Sequence, residues 1–408
     1  MYVPFPNHRR WTILGLIFVV TVLSYLDRQI VSIIKPTLKT VFGTDDQGYA
    51  VIINVFTVCY AVSYPVSGWL VDRLGSGRVM LAGIVVWSTA CIGSAFSRTL
   101  RGFTLFRAVL GLSEPTTFPA QLRIVAAWFP PSIRATAYSI CAAGGTVGAI
   151  VAPPIIGLLA IRFGWRAAFL VPGVAGMFIA VLWRLIYSDP PQENAPPATG
   201  PAHNSVRWSG LWRQRGLWGV LLCRFIGDPV WYFCLFWLPG YLQEQSGLTL
   251  AQVARFGWIP FLIADLGGVG SSIVSDWLVK KGIAPLRARK LVLTAAAFLA
   301  PVSLIVPLAH SATLVIILFC VIGAVSLTWL FGIGVIIAEV FPLGNVGSVT
   351  GIAGAAGAIG AMFFNAFVGK VIASLGAMHV FWVMATLQPM AVAVLWTLIR
   401  SKPQVRAI

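Results

Sequence analysis

Phe103-Thr-Leu-Phe-Arg107-Ala-Val-Leu-Gly-Leu-Ser-Glu114-Pro115-Thr-Thr-Phe-Pro-Ala-Gln-Leu-Arg123-Ile-Val-Ala-Ala-Trp128-Phe129-Pro130 is apolar enough to enter a bilayer, yet it holds an arginine and a glutamate seven residues apart. Two turns of helix put Arg107 and Glu114 on one face, roughly 10 Å apart along the axis. A charge at bilayer depth costs at least about 2.5 kcal/mol, so such residues face a partner or a water-filled cavity. The stretch is therefore the first candidate for a place where a solute crosses.

The rest of the chain has the composition to surround it with lipid-facing helices. Of 408 residues 58% are hydrophobic and 10% charged, with a mean hydropathy of +0.87, which a water-soluble surface cannot accommodate. Apolar stretches near the length that spans about 30 Å of hydrocarbon fall at 11–34, 49–71, 78–98, 102–124, 135–161 and 166–187. They resume at 216–242, 250–279, 290–309, 312–338, 346–374 and 377–399. Between the two sets, 188–215 is polar and carries Pro190-Pro191, Pro196-Pro197 and Pro201, the makings of a linker without a core. Arg9-Arg10 precedes a first apolar run too long for a signal peptide and without a small-residue cleavage pattern, so that run reads as a retained helix.

The end of the opening stretch repeats. A shift of 212 positions lays Ala126, Phe129, Pro130, Gly145, Gly148 and Gly157 on Ala338, Phe341, Pro342, Gly357, Gly360 and Gly369 without a gap. The expected fold is an all-α membrane protein of twelve transmembrane helices in two pseudo-symmetric six-helix bundles, 1–187 and 216–408, joined by a cytoplasmic linker at 188–215. Related halves of this kind suit a carrier that binds its solute where the repeats meet. The repeated glycines are expected to serve close helix packing.

The net charge of +17 is explained by topology and anionic lipid. With the N-terminus inside, basic residues on the cytoplasmic side outnumber those opposite more than two to one, which puts both termini in the cytoplasm. Nucleic acid is not an expected partner, because no soluble stretch carries the charge. Cys59, Cys91, Cys141, Cys223, Cys234 and Cys320 all lie within spans and have no metal-type spacing, so they read as packing residues with no metal implied. His-Glu-x-x-His and a phosphate loop ending in Lys-Ser/Thr are missing from the sequence. The reading is not an enzyme, with no cofactor and a gradient as the energy source.

Where the second span ends, Gly68-Trp-Leu-Val-Asp72-Arg73-Leu-Gly75-Ser-Gly-Arg78 has the Gly-x-x-x-Asp-Arg-x-Gly-x-x-Arg pattern, and Ser275-Asp276-Trp-Leu-Val-Lys280-Lys281-Gly282 is a weaker copy. A carboxylate so placed can accept from a neighbouring helix N-terminus and pair with arginines. Asp72, Arg73, Arg78 and Asp276 are thus gating candidates. The pattern resembles the signature of the major facilitator superfamily and implies its fold.

Ser24-Tyr25-Leu26-Asp27-Arg28-Gln29 places an acid and a base deep in the first span. Adjacent residues point about 100° apart on a helix, so each seeks a partner on another span. With Tyr60, Arg107, Glu114 and Trp128-Phe129-Pro130, the set resembles the anion:cation symporter family of that superfamily. Arg224-Phe-Ile-Gly-Asp228-Pro-Val-Trp231-Tyr232 and Gly347-Ser-Val-Thr-Gly351-Ile look like its hexuronate branch. The resemblance implies protonation at Asp27 and Glu114, substrate binding or charge coupling at Arg28 and Arg107, Tyr60 in the pocket wall, and a bacterial inner-membrane location.

Elementary chemistry points the same way. A carboxylate solute needs a cationic fork, and arginine presents parallel donors while staying charged when partly dehydrated. Arg224 and Asp228 stand at i, i+4 and are expected to pair; with Asp265 they form a possible second charge site. Trp231 and Tyr232 are candidates to stack on a sugar ring, and Asn365 to bond a hydroxyl. Glu339 reads as a loop charge. The expected function is proton-coupled symport of a sugar-acid anion such as glucuronate or galacturonate, by a monomer in contact with membrane lipid. The alternatives are an antiporter exporting an organic anion or drug, and a transport-inactive solute sensor.

Overall fold

A computed structural model describes residues 7–44, 46–189, 208–244, 252, 256–309, 311–375 and 378–400. In chain order the helices are α1 Asn7–Ile33, α2 Lys35–Phe42, α3 Asp46–Leu74, α4 Ser76–Phe96, α5 Leu100–Ser113, a 3₁₀ turn Glu114–Thr116, α6 Thr117–Trp128, α7 Pro131–Phe163, α8 Ala167–Ile186 and α9 Trp208–Trp212. They continue as α10 Arg215–Glu244, α11 Ile259–Lys280, α12 Pro285–Ala297, a 3₁₀ segment Ala300–Leu308, α13 Ala312–Val340, α14 Leu343–Leu375 and α15 Met378–Leu398. A helix satisfies its own backbone polar groups, which is what crossing hydrocarbon requires. Among the described residues ten helical segments are long and apolar enough to cross. The protein is a multi-pass, all-helical membrane protein.

Two of the twelve expected spans are not among those ten. Arg215–Glu244 is long enough at 30 residues but carries Arg224 and Asp228 in its middle. The expected helix over 102–124 is broken. Pro115 has no N–H to donate and its ring crowds the preceding turn, so α5 stops at Ser113 and a 3₁₀ turn precedes α6. Hydroxyls nearby take up carbonyls around the break: Ser63 Oγ donates to Leu112 O, Ser113 Oγ to Val109 O (3.0 Å) and Thr116 Oγ1 to Ser113 O (2.8 Å). At the N-terminal end of α5, Thr99 Oγ1 accepts from Gly102 N (3.1 Å) and caps it. Within 188–215, residues 190–207 lie outside the described residues. The end of that stretch is ordered as α9, with Leu211 fully buried and Trp212 O accepting from Trp218 Nε1 at 2.9 Å.

The described chain forms two compact units. Unit 1 comprises 1–129, 140–205 and 343–351; unit 2 comprises 130–139, 206–342 and 352–408. Helices α7 and α14 thus each begin in one unit and continue in the other. The core of unit 2 is aromatic: Phe233 packs at 5.7 Å edge-on to Phe381 and 6.5 Å stacked on Phe319, with Phe364, Leu238 and Met384 around them. In unit 1, Phe103 meets Phe169 edge-on at 5.4 Å, and Trp183 lies flat on Tyr187 at 4.7 Å. The sharp turn from α3 to α4 passes through Gly75 at φ 93, a conformation that side chains rarely tolerate.

The sequence repeat has a spatial counterpart. In unit 1 a Cβ on Gly145 would meet the Tyr25 ring at 2.8 Å, and one on Gly148 would reach Val22 O at 2.5 Å. In unit 2 a Cβ on Gly357 would strike the Asp228 carboxylate, and one on Gly360 the Phe225 carbonyl. The repeated glycines bring α7 onto α1 and α14 onto α10 in the same register, three residues apart on each partner. Small residues allow such close backbone approach.

Candidate functional site: a buried charge cluster in unit 1

Asp27 and Arg28 ride on α1, Tyr60 on α3, Arg107 on α5, and Glu114 on the 3₁₀ turn made by Pro115. The break carries the glutamate out of the regular helix toward α1. Arg28 Nη2 donates to Glu114 Oε2 at 2.8 Å and its Nε to the same oxygen at 3.2 Å. The two ends of this bridge differ in access: the Arg28 side chain is 29% exposed and that of Glu114 1%. Three rings surround the guanidinium, Tyr60 at 4.7 Å, Tyr25 at 4.9 Å and Phe56 at 5.6 Å. Their faces attract the cation and exclude water from one side of it.

Arg107 is buried to 1% exposure and stands over Phe56 at 4.9 Å. Its Nε and Nη1, and Oε1 of Glu114, have no hydrogen-bond partner among the described residues. Asp27 is equally buried, with Cys91 Sγ 3.7 Å from its Oδ1, and it lies within electrostatic reach of Glu114 and Arg107. Two acids and two bases therefore cluster together and balance formally, with Arg28 the partly exposed member. Arg107 keeps two donor atoms, Nε and Nη1, free of any acceptor among the described residues, and a carboxylate is an acceptor of matching charge for such donors.

The expectation that Asp27 and Arg28 look to other helices describes what is found, although spacing alone did not say which partner each would take. Cys91 was expected to be packing alone; it lies against Asp27. Gln121 was not singled out. It is fully buried, and Thr21 Oγ1 stands 3.4 Å from its Oε1. A glutamine seven residues past Glu114 in an apolar run is the signal that would have found it.

The other candidates fall in separate places. In unit 2, Arg224 Nε pairs with Asp228 Oδ2 at 3.0 Å along α10, the predicted i, i+4 contact. Asp265 is buried in α11, and Trp231 packs edge-on to Phe261 at 6.0 Å beside the aromatic core. Tyr232, the next residue of α10, is half-buried. The Asn365 side chain lies outside the described residues.

The gating candidates form two matching contacts. Asp72 accepts from Gly347 N (2.9 Å) and Ser348 N (2.6 Å), near the start of α14, with Arg123 Nε 4.0 Å away. Asp276 accepts from Thr136 N (2.8 Å) and Thr136 Oγ1 (2.7 Å), near the start of α7, and pairs with Arg289 at 2.7 Å. Thr136 and Ser348 are 212 positions apart, the shift of the repeat. Arg73 covers Trp69 at 5.1 Å, and Arg78 is exposed at the start of α4. Glu339 is not a loop charge. It lies in α13 and pairs with Arg134 at 3.2 Å and Arg289 at 3.7 Å.

Buried opposite charges on several helices of a multi-pass protein define a membrane carrier class, in which charge inside the bilayer is retained for a solute or ion. The chain belongs to the Major Facilitator Superfamily, whose family model matches residues 17–335; it is a transporter by family and not an enzyme. It is similar to the hexuronate transporter of Escherichia coli (strain K12), 27% identical over 416 residues that cover 97% of this chain and 95% of the relative. It is also similar to the galacturonate transporter of Dickeya chrysanthemi, 31% identical over 274 residues, 63% of this chain and 79% of the relative. Among solved structures, the proton:xylose symporter XylE bound to 6-bromo-6-deoxy-D-glucose matches with a TM-score of 0.75 at 14% identity, covering 97% of both chains. That likeness speaks for the fold.

Proposed function

We propose that the protein is a proton-coupled symporter of a sugar-acid anion, a hexuronate such as glucuronate or galacturonate, working by alternating access as a monomer. The observation that carries the reading is the unit 1 cluster: two buried acids, the half-buried Arg28, and the buried Arg107 with two donor atoms that have no acceptor among the described residues. The names of the relatives, hexuronate and galacturonate transporters, support the substrate class.

In this reading the solute carboxylate accepts from the unpartnered donors of Arg107 and competes with Glu114 for Arg28. Glu114, once released, takes up a proton, and Asp27 serves as the second proton acceptor. An occupied cavity is then close to neutral, and a neutral cavity is less costly to close off from water than a charged one. Tyr60 holds the ring face of the pocket. Trp231, Tyr232 and Asn365 are assigned to sugar hydroxyls and ring, and Arg224, Asp228 and Asp265 to a second charge site in unit 2, where Arg224 pairs with Asp228. Asp72 and Asp276 act as latches on α14 and α7, with Arg73 and Arg78 beside the first. The broken segment 100–128 and helix α10 complete twelve crossings, in halves 1–187 and 216–408 joined by the linker 188–215, with both termini on the cytoplasmic side of a bacterial inner membrane.

The test is uptake of labelled glucuronate and galacturonate into proteoliposomes under an inward proton gradient. Wild type accumulates at least one of the two. Glu114→Gln loses gradient-driven accumulation but keeps counterflow exchange, and Arg107→Ala loses both. No uptake of either acid by folded wild type overturns the substrate class, and accumulation that ignores the proton gradient overturns the coupling.

A further inference from the structure

An open groove of about 290 Å³ runs along unit 1 between α4 and α8. Leu81 and Val85 line it from α4, Met177, Val181 and Leu185 from α8, and the sole charged residue in its wall is Arg184. On α8 these positions recur every three or four residues, which makes a straight channel along the helix. The helices are antiparallel and pinned at one end, where Trp183 Nε1 donates to Gly77 O at 3.0 Å. That bond sets the neighbours of its two residues, Arg184 and Arg78, at the same end of the groove. Arg78 also lies three residues before Leu81, on the same face of α4. Both arginines are exposed, and neither has an ion-pair partner among the described residues.

An apolar trough closed by two solvent-facing cations is unsuited to a hydroxyl-rich solute. It matches a molecule with one long hydrocarbon chain and an anionic head. In a multi-pass protein the exposed apolar side chains here, Val181 and Leu185, meet lipid tails, and arginine engages phosphate oxygens through two parallel donors. We propose that this groove is a binding site for an anionic phospholipid, with one acyl chain along Leu81, Val85, Met177 and Val181 and the headgroup phosphate between Arg184 and Arg78. The site does not depend on what the protein transports.

The test places the photo-reactive amino acid benzoylphenylalanine at Val181 or, as control, at Ile317 of α13. The full chain is reconstituted in vesicles of equal phosphatidylglycerol and phosphatidylcholine, and the cross-linked lipid is identified by mass. Position 181 captures phosphatidylglycerol in excess over its share, and position 317 captures the two lipids equally. Arg184→Gln lowers the excess about five-fold, as the loss of one basic residue near an anionic surface implies. Arg184→Lys retains most of it, and glycerol phosphate added to the medium does not compete. Equal capture at position 181, an excess unchanged by Arg184→Gln, or displacement by glycerol phosphate overturns the proposal.

Discussion

Asp228 and Tyr25 stand at corresponding points of the two repeats, each pressed against a glycine, but one carries a charge and the other a ring. The difference sets what a substitution costs. A side chain larger than hydrogen at Gly357 collides with a carboxylate that is itself fixed to Arg224 at 3.0 Å, so relief requires moving a buried ion pair. Gly357→Leu should therefore lower stability by about 1–3 kcal/mol or more, read as a fall in thermal midpoint in detergent. Gly344→Ala, whose Cβ would meet nothing within 4 Å, should leave it unchanged or raise it. Residue identity was legible in the sequence where an ionisable group stood in an apolar run: Asp27, Arg28, Arg107, Glu114 and Asp228 were all visible there. Partner choice was not, because one-dimensional spacing says nothing about which face of another helix lies opposite. The same limit hid the place of Glu339 and the contact of Cys91 with Asp27.

At the scale of elements, the important departure from expectation is the break between α5 and α6. A hydropathy reading sees one span over 102–124, since proline is as apolar as its neighbours. The backbone sees a missing donor at Pro115, and the chain answers with a 3₁₀ turn and three hydroxyls. Ser63 is the one that comes from another helix, and its donation to Leu112 O ties α3 to the break. Ser63→Ala should destabilise by about 1 kcal/mol, while Ser63→Thr keeps the donor and most of the stability; thermal unfolding of the two purified variants distinguishes them. A variant Ser63→Ala as stable as wild type would show that the carbonyl finds another partner.

Over the whole molecule, each unit holds an aspartate that grips the start of a long helix: Asp72 holds α14, and Asp276 holds α7. The two grips differ in their cations. Arg289 is 1% exposed and paired to Asp276 at 2.7 Å, whereas Arg123 is 19% exposed and 4.0 Å from Asp72. Removing a buried partner leaves a charge stranded, at a cost of about 3–5 kcal/mol, while a hydrogen bond from a neutral donor to a carboxylate contributes about 1.5–3 kcal/mol. Asp276→Asn should thus lower the unfolding midpoint more than Asp72→Asn. Since the two aspartates share no partner among the described residues, the double variant should show the sum of the two losses. The duplication was legible through its ungapped glycines and the Phe-Pro pairs, but the compact units do not follow the sequence halves at 130–139 and 343–351. A repeat read along the chain assigns every residue to the half that encodes it, and only contacts reveal those two segments as exceptions.

Those two exceptions bear on how the chain comes to be made. A nascent polypeptide that has emerged only as far as Ser205 has yet to synthesise the nine residues 343–351 that complete its first compact unit. The grip of Asp72 on Gly347 and Ser348 therefore cannot close until nearly the entire protein has left the ribosome. Until then the early half offers that carboxylate Arg123 but not the start of α14, and the first unit is completed late in translation rather than midway through it.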